Sequence, residues 1–229
     1  MHTKRYKRKL SDAQRRKKTQ RSIRLGLILL IVLAVILGIG KVIKPEWFSR
    51  GYFELSGGAI DASKPDIDVR LLTVNPYSRP GTETEKIRGI VIHYTANPGA
   101  GAAANRDYFE GLKESHATKT SSNFVVGLDG EIIQCVPTWE VAYASNERNI
   151  DTVSIECCHP DESGEFTKET YRSVVNLTAW LCMKFDLSSG DVIRHYDVTG
   201  KNCPKYFVEN EDAWKQFRED VEKAIEKSS

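Results

Sequence analysis

The stretch NFVVGLDGEIIQCVP, residues 123–137, decides the fold class. Two short runs rich in apolar and β-branched residues, Asn123 to Leu128 and Glu131 to Val136, flank Asp129-Gly130. An Asp-Gly pair tolerates positive φ and so closes a tight turn between antiparallel strands. On either side, Ile87 to Tyr94 (IRGIVIHY) and Thr152 to Cys157 (TVSIEC) read as buried strands. Asp191 to His195 (DVIRH) reads as another, and Val69 to Val74 as a first strand or extended arm ended by Asn75-Pro76. Helical segments lie between them. Ala102 to Ser115 carries Ala104, Tyr108 and Leu112 at fourfold spacing. Thr167 can cap a helix to about Phe185, with Tyr171, Val174, Val175, Thr178, Leu181, Cys182 and Phe185 on one face. Asn210 can cap a last helix that aligns Trp214, Phe217, Val221 and Ile225. Strands and helices mixed in this way, with a hairpin among them, predict an α/β fold. It is a single domain over residues 65–229 with a central mixed β-sheet packed by helices.

The 229 residues are 40% hydrophobic and 28% charged, which excludes a wholly disordered or collagen-like chain. The net charge of +2 hides two opposed parts. Of 33 bases and 31 acids, 11 and one lie in residues 1–24, leaving 22 bases and 30 acids for the rest. The body is acidic, so no nucleic-acid partner is expected. The basic cluster makes sense beside the segment next to it. Leu25 to Gly40 (LGLILLIVLAVILGIG) is uncharged for 16 residues between Arg24 and Lys41. With Ile23, Val42 and Ile43 the run reaches about 21 residues, enough for a ~30 Å hydrocarbon core at ~1.5 Å per residue. A cleaved signal peptide is the rival reading, but residues 38–43 offer no A-x-A-type cleavage site. The expectation is a basic cytoplasmic tail (1–22), a transmembrane anchor (23–43), a stalk (44–64) and a domain (65–229) outside the cytoplasm, at the cell membrane. The oligomeric state is not written in the sequence; a monomer is the default.

His93 ends the Ile87–Tyr94 strand and leads into the loop Thr95-Ala96-Asn97-Pro98-Gly99. His195 holds the matching place at a second strand end, and Cys203 comes eight residues later, ahead of Pro204. Strand ends in such a domain meet the loops where ligands bind. Two imidazoles and one thiolate form a three-ligand zinc set that leaves a fourth position open. Taken singly, each residue also has an ordinary reading, as a satisfied structural His or a small buried Cys. Glu156 sits inside an otherwise apolar strand, where alternation puts Ser154, Glu156 and Cys158 on one face. Its carboxylate either meets solvent or projects into a site. Lys201 is equally a solvated loop lysine or a site cation. Cys157-Cys158-His159 is not read as a metal motif, because adjacent strand residues point to opposite faces. His116 and His159 are read as surface residues. Cys135, Cys157, Cys158 and Cys182 are open to disulfide pairing in an exported domain, or to remaining thiols.

Four segments occur in order: IVIHYTANPG (90–99), NFVVGLDGEIIQCVP (123–137), TVSIECCHP (152–160) and IRHYDVTGKNCP (193–204). Together they resemble the zinc-dependent N-acetylmuramoyl-L-alanine amidases of the type 2 amidase family, related to the peptidoglycan recognition proteins. The resemblance covers roughly residues 75–225 and leaves out tail, anchor and stalk. It implies a Zn2+ ion held by His93, His195 and Cys203 in a surface groove, with Glu156 and Lys201 at the catalytic positions. The reaction implied is hydrolysis, by zinc-activated water, of the amide joining N-acetylmuramic acid to L-alanine of the peptidoglycan stem peptide. Thr95 and Asn123 are read as substrate contacts. Many relatives carry His where Asn123 stands, and some a Tyr where Ser122 stands, so the burden of proton transfer falls on Glu156. Glu156 would take the water's proton and later deliver one to the leaving amine, while Lys201 stabilises the oxyanion. The competing class is a membrane-anchored, non-catalytic peptidoglycan-binding module; the joint presence of these five residues favours the enzyme.

Overall fold

The computed structural model describes residues 64–228. The tail, the anchor and the stalk up to residue 63 lie outside the described residues. No helix among those described is long and apolar enough to cross a membrane.

In chain order the elements are β1 (Asp68–Val69), β2 (Gly89–Tyr94), α1 (Ala102–Ser115), β3 (Phe124–Val126), β4 (Ile132–Gln134) and β5 (Thr152–Cys157). They continue with α2 (Lys168–Phe185), β6 (Val192–Arg194), α3 (His195–Thr199), α4 (Lys205–Glu209) and α5 (Glu211–Ser228). The six strands form one sheet in the order β1-β4-β3-β5-β2-β6. Only the β3–β4 pair is antiparallel, so the sheet is mixed, as its sequence pattern predicts. At the hairpin, Gly130 takes φ +84°, and a Cβ there would come within 2.9 Å of the Glu169 carbonyl oxygen on α2. Glycine is needed at that turn both for its backbone and for this close approach.

The helices cover the sheet where the apolar residues require it. Thr167 caps α2, accepting from the Thr170 N–H at 3.0 Å. Val174, Val175, Thr178, Leu181 and Cys182 are buried, together with Leu177 and Trp180 outside the expected stripe. α2 packs on β2, β3 and β5 and against α5. α1 closes over β3 and β4, where Ala102 and Phe109 meet Val125, Ile133, Cys135 and Cys158 in one cluster. All five cysteines carry free thiols.

Five local readings need correction. The buried stripe of α1 is Ala102, Asn105, Phe109 and Leu112, while Ala104 and Tyr108, expected beside Leu112, are exposed. The strand expected over Val69–Val74 is reduced to Asp68–Val69, although the Arg70 and Leu72 N–H groups still bond to Gln134 and Cys135 carbonyls at 3.0 and 2.8 Å. The strand expected to reach His195 stops at Arg194. There the Asp197 carboxylate accepts the Arg194 N–H at 2.8 Å and turns the chain into α3. The Asn210 side chain donates back to the Tyr206 carbonyl at 3.0 Å instead of capping α5. His159 is buried: its Nδ1 lies 2.7 Å from the Asp161 carbonyl oxygen and its ring rests 5.1 Å from that of Tyr94. His116 does stay at the surface, stacked on Tyr77.

The arm after β1 is held to α1 by Glu110, which accepts from the Thr73 N–H and hydroxyl at 3.0 and 2.7 Å and from Lys113 at 2.7 Å. Burial alone would raise this carboxyl, but the Lys113 and Thr73 bonds outweigh it and hold its pKa at about 2. A depressed carboxylate pKa stabilises the fold above the ordinary value of 4.5, and that contribution is lost as the pH falls towards 2. Glu110→Gln should therefore cost about 1–2 kcal/mol at pH 7, the low end for bonds to a charged group near solvent. In urea denaturation the gap to the unsubstituted chain should shrink steadily below about pH 4.5; a gap independent of pH would assign the effect to packing.

Candidate active site

Parallel pairing assembles the site. Register sets His93 on β2 opposite Glu156 on β5, and Glu156 opposite Val125 on β3. In-register neighbours project from the same face, so His93 and Glu156 share the face that α1 covers farther along the sheet. On the other flank Ile92 pairs with Arg194. The chain leaving β6 thus delivers His195 beside His93, with ring centroids 4.7 Å apart. Arg194 locks this turn: its guanidinium bonds to Asp197 at 2.9 Å, Glu211 at 2.7 Å and the Phe207 carbonyl at 3.0 Å. Cys203 returns after α3, its carbonyl accepting from the Tyr196 N–H at 2.9 Å. Its sulfur lies 3.8 Å from His93 Nδ1.

One donor atom each from His93, His195 and Cys203 falls within 4.8 Å of the other two, the one such group of metal donors among the described residues. A tetrahedral zinc ion with ~2.0–2.3 Å bonds needs donor–donor edges of roughly 3.3–3.8 Å, close to this spacing. The far nitrogens are held elsewhere: His93 Nε2 is 3.1 Å from Ser145 Oγ, and His195 Nε2 is 3.1 Å from Asn146 Oδ1. His195 Nδ1 is buried and has no hydrogen-bond partner. An orphaned buried nitrogen, facing a second imidazole and a sulfur, fits a site that could hold Zn2+.

Burial drives every ionisable group here towards its neutral form. His93 is pushed well down, first by burial and then by the charges of His195 and Lys201. His195 is lowered by burial and by Lys201, against a weaker opposing pull from Glu147. The Cys203 thiol is raised to about 12 by burial and by Glu156, opposed by the Tyr94 backbone bond and by Lys201. Burial lifts the Glu156 carboxyl to about 8, with Lys201 opposing. Its Oε1 lies 3.9 Å from His93 Nδ1, and its Oε2 is buried without a partner.

Of the remaining residues singled out from sequence, Lys201 is exposed, and its charge acts on His93, His195, Glu156 and Cys203. Thr95 lies two residues beyond His93, with its backbone N–H bonded to Cys157 and its Oγ1 buried and unpartnered. Asn123 is different. It is 1% exposed; its Nδ2 donates to the Pro137 carbonyl and its Oδ1 accepts from the Ser154 N–H and hydroxyl. With its amide occupied inside the fold, Asn123 is a strut between β3 and β5 rather than a substrate contact. Ser145 and Asn146 escape a reading of the sequence, because nothing in Ala144-Ser145-Asn146 marks it as the neighbour of two distant histidines. A cavity of about 560 Å3 lies elsewhere, between α2, α4 and α5, lined by Phe166, Tyr171, Tyr206 and Asp220. It contains none of these donors, so chemistry rather than hollow volume singles out the site.

The N-acetylmuramoyl-L-alanine amidase family matches residues 83–206, a span holding every one of these groups. The chain is 35% identical over 164 residues to the N-acetylmuramoyl-L-alanine amidase CwlL of Bacillus licheniformis, covering 66% of this chain and 45% of that protein. It is 32% identical over 184 residues to the N-acetylmuramoyl-L-alanine amidase BlyA of Bacillus subtilis, covering 69% and 48%. The chain thus spans about half the length of the curated relatives it matches. Among solved structures, a mutant endolysin from Bacillus subtilis superposes with a TM-score of 0.59 at 27% identity, over 69% of this chain and 99% of that one. The catalytic domain of XlyA gives the same score and coverage at 26% identity.

The full-length chain should take up one equivalent of Zn2+, measured by elemental analysis after gel filtration. Cys203→Ser should bring retained zinc below about a tenth of that, since the thiolate is the one charged donor in the set. Zinc retained in full by that variant would remove Cys203 from the ligands.

Proposed function

The chain belongs to the N-acetylmuramoyl-L-alanine amidase family, and on that premise we propose that it hydrolyses peptidoglycan at the amide between N-acetylmuramic acid and the L-alanine of the stem peptide. The observation that carries this reading is the β2–β5 register, which sets a buried carboxyl beside a His, His, Cys donor set. His93, His195 and Cys203 would hold Zn2+. When bound, the ion would supply Lewis acidity to a water molecule and to the substrate carbonyl. Glu156 is the general base. With Oε1 3.9 Å from His93 Nδ1 and Oε2 unpartnered, it can reach a water molecule seated at the donors. It accepts that water's proton as the oxygen–carbon bond forms, then passes a proton to the alanine nitrogen as the carbon–nitrogen bond breaks. Lys201 stands at the exposed side, where its ammonium steadies the oxyanion. The unpartnered Thr95 hydroxyl is assigned to a polar group of the substrate.

The basic run in residues 1–22 and the apolar run in residues 23–43 support a cytoplasmic tail and a membrane anchor, with the stalk 44–64 holding the domain near its wall substrate.

Glu156→Gln should lower kcat by ~10²–10⁴-fold while zinc content stays at one equivalent. Lys201→Ala should lower kcat by ~10²–10³-fold with little change in KM. The test of the reaction itself is mass analysis of peptidoglycan incubated with the full-length chain, with and without chelator. Free stem peptides beginning with L-alanine, abolished by the chelator, are expected. Wall material that is bound yet stays uncleaved would make the chain a binding module instead.

A further inference from the structure

We propose that the consecutive residues Ser145 and Asn146 position the metal site, by holding the far nitrogen of each histidine so that both Nδ1 lone pairs face the ion. The inference rests on the zinc reading and adds to it which residues prepare the imidazoles. Asn146 Oδ1 can only accept, so at 3.1 Å it requires the proton of His195 on Nε2. That leaves Nδ1, buried and unpartnered, as a lone pair. Ser145 Oγ, in a residue 1% exposed, holds His93 Nε2 at 3.1 Å. The opposite nitrogen of that ring lies 3.8 Å from the Cys203 sulfur.

The loop is built to present these two groups side by side. Asn149 Oδ1 accepts from the Ala144 and Ser145 N–H groups at 3.0 and 2.5 Å, fixing the chain just before Asn146. Asn146 then takes φ +53°, a left-handed conformation that asparagine adopts more readily than most residues. Neighbouring residues thus reach two histidines drawn from β2 and from the end of β6, as one rigid clip. Partners of this kind set ring orientation and tautomer at metal sites, and their loss typically costs 10–100-fold in metal affinity.

The test uses three variants of the full-length chain. Asn146→Gly keeps the left-handed backbone and removes the acceptor; Asn146→Asp keeps an acceptor oxygen; Ser145→Ala removes the His93 partner. Side-chain 15N shifts of the metal-free protein should report the Nε2–H tautomer for His195 in the unsubstituted chain and in Asn146→Asp, and a mixture in Asn146→Gly. Competition with a chromophoric chelator should show zinc affinity about 10–100-fold weaker in Asn146→Gly and Ser145→Ala, and within about threefold of the unsubstituted chain in Asn146→Asp. Cobalt-loaded variants should keep a thiolate charge-transfer band, so that weakened affinity is not traced to a lost ligand. An unsubstituted chain with its His195 proton on Nδ1 overturns the proposal whether or not zinc binds. Equal zinc affinities across all four proteins overturn it while leaving the zinc reading intact. A correct tautomer in a chain that takes up no zinc sinks the zinc reading and with it the role assigned to the clip.

Discussion

His93 and Glu156 meet because β2 and β5 run parallel with one register, and the rest of the site depends on that pairing. A slip of one residue would send every side chain of one strand to the opposite face, burying the carboxyl under α2 and leaving the imidazole alone. The register is held by apolar residues on the far face: Ile90, Ile92 and Ile155 are fully buried and cannot turn towards water. The same β2 strand also pairs with β6, so one central strand aligns two others and brings His195 in at its end. Core and site are therefore not separable in this fold. The apolar alternation that stabilises the sheet also aims its few polar residues.

The electrostatics come from that burial. Two imidazoles, a thiol and a carboxyl share one enclosed corner, and desolvation leaves each of them favouring its uncharged form. Lys201, outside, favours the thiolate and the carboxylate but opposes protonation of the imidazoles. The Tyr94 N–H also favours the Cys203 thiolate. Burial thus leaves both imidazoles in the neutral form a dication needs, whereas the Cys203 thiol, raised to about 12, would have to lose its proton on binding one. The corner would be a poor arrangement for an ordinary ion pair, because among the described residues no buried Lys or Arg faces the carboxyl.

Much of this is legible in the sequence because it is local. A histidine at the end of a β-branched run, a carboxyl inside an apolar one, an Asp-Gly turn and a Thr cap each declare themselves within a few residues. The parts that stay hidden depend on distance along the chain. Ser145 lies 52 positions from His93, and Asn146 lies 49 from His195, with no periodicity to link them. The end of β6 departs from its sequence pattern for a nearer reason. Strand propensity runs through Val192-Ile193-Arg194-His195, yet the carboxylate three residues after Arg194 accepts that residue's backbone N–H and overrides it. The loop setting of His159 suggests a surface residue, whereas packing against Tyr94 draws it in.

Asn123 shows how a structural polar group differs from a chemical one on the same face of the same sheet. Asn123 and Ser154 lie one alternation step from Val125 and Glu156 and point the same way. Around them the hydrogen bonds close on one another: Ser122 donates to the Phe124 carbonyl, and Asn123 bonds to Ser154 and Pro137. Two residues along β5, Glu156 Oε2 is left unmatched; at the neighbouring strand ends so are His195 Nδ1 and Thr95 Oγ1. An unsatisfied buried polar atom costs about 1–3 kcal/mol, so Glu156 Oε2 and His195 Nδ1 at one donor set are a sizeable burden beside a neighbour that leaves so little unpaired. A sheet able to satisfy Asn123 fully could have satisfied these as well. Unmatched buried atoms also occur at Thr84, His159, Thr178 and Trp180; what separates site from strut is that those of Glu156 and His195 lie with the His93 and Cys203 donors.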